Sequence, residues 1–326
     1  MELTRRPRRL RGDGVREMVS ETSVEASDLI APIFVDATAT ERVPIESMPD
    51  HERVPVEEAV ARAEEVLETG VESVLVFGIP ESKDARGSRA WADDGVVQRA
   101  VRRIASETDA YVITDVCLCE YTEHGHCGVL EADARAGEGL TVKNDETCEL
   151  LARTALSHVE AGADMVAPSA MADGQVGAIR TALDEAGHAE TPITAYAVKY
   201  ASSFYGPFRD AADGAPAFAD RRHCQMDPAN RREALTEAAL DVEQGADVLM
   251  VKPALAYLDV VADVRREFDH PVAAYNVSGE YAMIRAAGEK GWLDAAAAAR
   301  ESVLAMKRAG ADLVVTYFAE DLATRL

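Results

Sequence analysis

The sequence predicts an α/β protein folded as a (β/α)8 TIM barrel with an extended N-terminal arm. Eight short apolar, β-rich runs alternate with longer amphipathic ones. One helix–glycine–strand phrase recurs three times, as EAGADMVAPS, EQGADVLMVKP and RAGADLVVTYF. Asp115, Ser169, Lys199, Lys252, Ser278 and Tyr317 fall at or just past the C-terminal ends of different runs. An open doubly wound sheet would alternate in the same way. The polar strand ends favour the barrel, where such ends converge on one face and build the catalytic site.

The strands are expected over residues 29–35, 73–78, 111–116, 164–168, 193–199, 247–252, 271–277 and 312–317. Each shows the short apolar run of a strand buried on both faces. Helical patterns cover 55–69, 96–106, 144–161, 175–186, 231–244, 257–268 and 293–309. Several end on a glycine just before the next strand (Gly70, Gly162, Gly245 and Gly310), where a positive φ caps the helix. The alanine run 295–299 is a strong helix former. Residues 1–28 precede the first strand and carry Arg5, Arg6, Arg8, Arg9, Arg11 and Arg16, which suits an arm lying on an acidic neighbouring subunit. Residues 29–326 then form the single catalytic barrel, with 200–228 as a lid.

The chain has 326 residues and a formal net charge of −24, the opposite of a nucleic-acid binder's balance. It has no apolar run long enough for a membrane span and no apolar stretch after the charged N-terminus, so a cytoplasmic protein is expected. An acidic, lysine-poor surface also suits a high-salt, halophilic cytoplasm.

Only six lysines occur, Lys83, Lys143, Lys199, Lys252, Lys290 and Lys307. Two of these, Lys199 and Lys252, each end an apolar strand. Burial disfavours an ammonium, and two neighbouring amines repel each other's protons. A neutral amine so produced attacks a ketone to give a Schiff base. The bland alternative is a pair of lysines reaching from strand ends to solvent.

Five cysteines are present, three of them in TDVCLCEYTEHGHCG. Cys117, Cys119 and Cys127 can hold zinc tetrahedrally with one position open, the form of a catalytic site. A structural zinc completed by His124 or His126, or three buried thiols, would use the same residues. A one-lysine aldolase and a zinc-stabilised scaffold are the competing readings. The cysteine loop and the second lysine weigh against the first, and the lysine pair against the second.

These blocks, with DLIAPIFV, FGIPESKDARGS, APSAMADGQV, KYASSFYGPFRDA, DRRHCQMDPANRREA and AAYNVSGEYAMI, resemble the porphobilinogen synthase (5-aminolevulinate dehydratase) family nearly end to end. The resemblance implies a hydro-lyase of haem biosynthesis that condenses two 5-aminolevulinate molecules through two lysine Schiff bases. Lys252 would take the first substrate (the P side of the product) and Lys199 the second (the A side). It further implies that Arg209, Arg221 and Gln225 clamp the A-side carboxylate, that Ser278 and Tyr317 receive the P-side one, and that Asp115 steers protons. Cys117, Cys119 and Cys127 match the cysteine-rich zinc version, and Glu237 an allosteric magnesium ligand. A homo-octamer built from arm-exchanging dimers is implied as well. Two departures stand out: Ala170 replaces a common aspartate, and His223 replaces a cysteine that in some members joins a histidine at a second zinc, a place that His126 and His223 would fill here.

Overall fold

The structure is a computed structural model and describes residues 9–132, 139–214 and 221–326. Eight parallel strands form the barrel: β1 (Leu29–Asp36), β2 (Ser73–Ile79), β3 (Tyr111–Val116), β4 (Met165–Pro168), β5 (Thr194–Lys199), β6 (Val248–Lys252), β7 (Val272–Asn276) and β8 (Leu313–Thr316). They pair in the order β4–β3–β2–β1–β8–β7–β6–β5. A parallel bridge between Val166 and Ile193 joins the two ends of that order, so the sheet closes on itself. All eight expected strands are present within one or two residues of their predicted limits. The barrel therefore stands over the open sheet.

The outer helices are α1 (Ala59–Glu68), α2 (Val96–Glu107), α3 (Asn144–Glu160), α4 (Gln175–Glu185), α5 (Glu233–Glu243), α6 (Leu258–Glu267), α7 (Ser278–Glu289) and α8 (Ala295–Ala309). Gly70, Gly162, Gly245 and Gly310 all adopt positive φ, between 92° and 122°, and turn the chain from helix to strand as their spacing predicts. The Asp294 side chain accepts a hydrogen bond from Ala297 N and caps α8.

Among these outer helices, only α7 lies outside the helical patterns read from the sequence. The α7 segment carries Gly279 and Gly288, which weaken its intrinsic helix signal. Packing requires both. A Cβ on Gly279 would meet Phe204 O at 2.5 Å, and one on Gly288 would meet Ala295 Cβ at 2.7 Å. Gly279→Ala is therefore expected to cost ~1–3 kcal/mol through forced backbone displacement, read as a lower melting temperature.

Residues 9–21 are exposed throughout, and the short helix Asp13–Met18 buries none of its side chains. A Lys307–Asp28 ion pair of 2.9 Å fastens the chain where the barrel begins. Arg5, Arg6 and Arg8 lie outside the described residues, and so does part of the expected lid, residues 215–220. No helix among the described residues is long and apolar enough to cross a membrane.

Candidate active site

The parallel register of β5 and β6 places Lys199 directly beside Lys252 as the last pair of the ladder. Both are buried, each with 5% of its surface exposed. Lys199 Nζ donates to the Ser169 carbonyl. Lys252 Nζ sits in an aromatic cage, 4.0 Å from the Tyr275 ring centre, 5.0 Å from Phe208, 5.1 Å from Tyr196 and 5.5 Å from Tyr205.

The two amines are not equivalent. Burial, and then the charge of Lys199, pulls Lys252 down to about 7 against the attraction of Asp115. Burial also lowers Lys199, but electrostatic attraction to Cys127, Cys117 and Cys119, and then to Asp115, outweighs it and leaves Lys199 above the ordinary lysine value. Mutual repulsion alone predicts two neutral amines. The tertiary structure splits them because attraction to the cysteine loop outweighs burial at Lys199, whereas burial and the charge of Lys199 dominate at Lys252.

Asp115, near the end of β3, faces the same cavity. Burial and then repulsion from Glu120 push it up to about 7, opposed by both lysines. A carboxyl near neutrality beside an amine near neutrality can exchange a proton at little cost. Glu120 was not singled out from sequence. It is 3% exposed, its Oε2 lies 3.2 Å from Cys119 Sγ, and burial followed by Cys119 pushes it up to about 8. Its place directly after C-x-C was the available signal.

The loop after β3 gathers Cys117, Cys119 and Cys127, all buried and none in a disulfide. Their sulfurs lie within 4.8 Å of one another, Cys117 and Cys119 at 3.3 Å. Zinc–sulfur bonds of ~2.3 Å at tetrahedral angles put sulfurs ~3.8 Å apart, so the three fit a shared soft metal ion. Cys224 Sγ touches Cys127, and the His126 and His223 rings stand 5.0 Å apart beside the same loop.

Arg209 comes from the short helix Gly206–Ala211, which covers the lysines and is tied down by Ser47 Oγ donating to Asp210 Oδ2 at 2.6 Å and by a Lys83–Asp213 ion pair of 2.7 Å. Arg221 adopts a left-handed φ of 64° and donates to the carbonyls of Gly125 and Gly214, joining this segment to the cysteine loop. Arg209 Nε, Arg221 Nε and Gln225 Oε1 are buried with no hydrogen-bond partner among the described residues. Buried polar groups are rarely left so, and two guanidinium donors facing a cavity suit a carboxylate.

Lys199, Lys252, Asp115, Arg209, Arg221, Gln225 and Cys119 thus line one cavity, together with Phe208 and Tyr205, neither of which the sequence had marked. Its volume is about 20 Å³, enough for a water molecule or two. Ser278 and Tyr317 stand around the cavity rather than on its lining. Ser278 Oγ accepts from Phe208 N at 2.9 Å, and the Tyr317 hydroxyl lies 3.1 Å from that of Tyr275. Glu237 is elsewhere, half-buried on α5 near Asp173 and Glu233, and joins no potential three-ligand group among the described residues.

Comparison with known proteins agrees with this geometry. The family profile of delta-aminolevulinic acid dehydratase matches residues 4–325. The Archaeoglobus fulgidus delta-aminolevulinic acid dehydratase is 54% identical over 322 residues, 98% of each chain. The Methanothermobacter thermautotrophicus protein of the same name is 55% identical over 98% of this chain and 96% of its own. A crystal structure of the Toxoplasma gondii ME49 enzyme in complex with its reaction product porphobilinogen superimposes with a TM-score of 0.94 at 42% identity, covering 99% of this chain and 92% of that one. The chain belongs to the delta-aminolevulinic acid dehydratase family.

Proposed function

We propose that this chain is a porphobilinogen synthase, condensing two 5-aminolevulinate molecules to porphobilinogen, with loss of two waters, in tetrapyrrole biosynthesis. The observation that carries the reading is the register-matched, buried pair Lys199 and Lys252, one of them held near neutrality, beside orphaned carboxylate donors.

Lys252, the more readily deprotonated amine, attacks the first ketone, and water leaves as the Schiff base forms. Tyr317 and Ser278 receive that substrate's carboxylate on the P side. The second substrate places its carboxylate against Arg209, Arg221 and Gln225 and its ketone at Lys199. Asp115 accepts and returns protons between the two halves. Phe208 and the segment 200–228 close over them and exclude water. Both waters are lost in forming the two Schiff bases, so each lysine is regenerated as a free amine without hydrolysis: one is displaced by a substrate amine as the C–N bond forms, and the other is eliminated from the carbon at which the C–C bond forms.

Cys117, Cys119 and Cys127 are the zinc ligands in this reading, since thiolate sulfur selects zinc over magnesium. When bound, zinc would supply a Lewis acid beside the two lysines. Glu237 is proposed as an allosteric magnesium ligand, and His126 with His223 as a second zinc position. The arm, residues 1–28, is assigned to contacts between subunits of a homo-octamer, in a high-salt cytoplasm.

The test is direct. Purified protein incubated with 5-aminolevulinate and zinc is expected to form one porphobilinogen per two substrates consumed. A metal-independent cleavage or addition reaction instead would support the one-lysine aldolase and overturn this reading.

A further inference from the structure

We infer that His51 is a positioning residue for Tyr317, pinning the substrate-facing phenol of the P side from outside the cavity. The inference rests on the reading that Tyr317 receives the first substrate's carboxylate.

His51 ends a tight loop between two short strands, Val43–Pro44 and Glu52–Pro55. Asp50, just before it, has a left-handed φ of 66°, and the loop is closed by His51 N donating to Met48 O at 3.0 Å and Ile45 N donating to His51 O at 2.9 Å. The turn directs the ring inward. There Nε2 lies 2.9 Å from the Tyr317 carbonyl. A carbonyl only accepts, so Nε2 carries the proton and donates. The ring also stands edge-on to Tyr317, at 5.3 Å and 82°, and to Tyr281, at 5.0 Å and 75°. Such T-shaped contacts fix the plane of a ring as well as its position.

Tyr317 needs this support. It is the first residue beyond β8, so the barrel's strand pairing stops just short of it. Behind it lies a cavity of about 240 Å³, lined by His51, Arg62, Arg285 and Glu320 among others, into which an unpinned Tyr317 could relax. On its inner side the Tyr317 hydroxyl contacts Tyr275, whose ring centre is 4.0 Å from Lys252 Nζ. Position thus passes from His51 through Tyr317 and Tyr275 to the first Schiff-base lysine, while His51 itself does not line the lysine cavity.

The test measures the 5-aminolevulinate concentration that half-saturates borohydride trapping on Lys252, alongside kcat at saturating substrate. His51→Leu removes the donor and is expected to raise that concentration about fivefold, the effect of one lost hydrogen bond, with kcat within twofold of wild type. His51→Gln, whose amide nitrogen reaches the same carbonyl, is expected to restore it to within twofold. If His51→Leu does not fold, His51→Asn, one methylene too short, takes its place against His51→Gln. An unchanged half-saturation in the donor-less variant, a fall in kcat alone, or equal impairment of the Gln and shortened variants overturns the inference. Tyr317→Phe separates the two levels. If it leaves half-saturation unchanged, the role given to Tyr317 falls. If it raises half-saturation and His51→Leu does not, only the role of His51 falls.

Discussion

Lys252→Met is expected to lose porphobilinogen formation on the order of 10⁴-fold or more, because it removes the nucleophile that captures the first substrate. Lys199→Met is expected to lose turnover as completely, yet the two variants differ under borohydride trapping. With Lys199 replaced, a 5-aminolevulinate adduct still forms on Lys252; with Lys252 replaced, adduct on Lys199 is strongly reduced at neutral pH, where Lys199 stays protonated. Peptide mass mapping distinguishes the two sites. Equal trapping on both lysines in wild type at low substrate would contradict the ordered use of the sites.

The pH dependence sharpens this expectation. Lys252 is pulled down to about 7, first by burial and second by Lys199. Its reactive form is the neutral amine, so trapping on Lys252 is half-maximal near pH 7. Below that, trapping falls about tenfold per pH unit as the amine protonates. Lys199→Met removes the like-charge contribution, which raises the Lys252 pKa and moves the midpoint upward. At pH 7 trapping on Lys252 then slows, even though the substituted residue is its neighbour. A midpoint that moves down, or not at all, would mean that Lys199 is not charged in the wild-type site.

Removing the metal has the second-largest expected effect. Chelation, or Cys119→Ser, is expected to lower turnover about 10²–10⁴-fold, recoverable after chelation by zinc and not by magnesium. Trapping on Lys252 should survive, because its depressed pKa arises chiefly from burial rather than from the cysteine loop. A purely structural zinc predicts a different pattern, in which chelation lowers the melting temperature and abolishes trapping together. Metal analysis of the Cys119→Ser protein separates loss of the ion from loss of the fold.

Much of the barrel was legible because its strands are buried on both faces and read as unbroken apolar runs, set off by glycines at helix ends. The missed helix α7 shows the limit of that reading. Gly279 and Gly288 are present because Phe204 and Ala295 press against the helix, and contacts made with other segments, Phe204 lying far back along the chain and Ala295 on the next helix, leave no periodicity within α7 to find. Residues with a motif around them, such as the lysines and the cysteine triad, were evident. Phe208 was not, since a lone phenylalanine in a six-residue helix has no distinguishing spacing, and Glu120 had only its place directly after C-x-C to mark it out in an acidic chain.

Sequence alone determined which residues could do chemistry: two amines at strand ends, three thiols spaced for one metal ion, and a set of blocks shared with one enzyme family. Tertiary structure decided what state they are in. Strand register put Lys199 beside Lys252, and folding brought the cysteine loop and Asp115 near enough to raise one amine while burial left the other near neutrality. It also left Arg209 and Arg221 with buried donors facing the cavity and set His51 behind Tyr317. Electrostatic energy depends on distance and local dielectric, and neither quantity is defined along a chain until it folds.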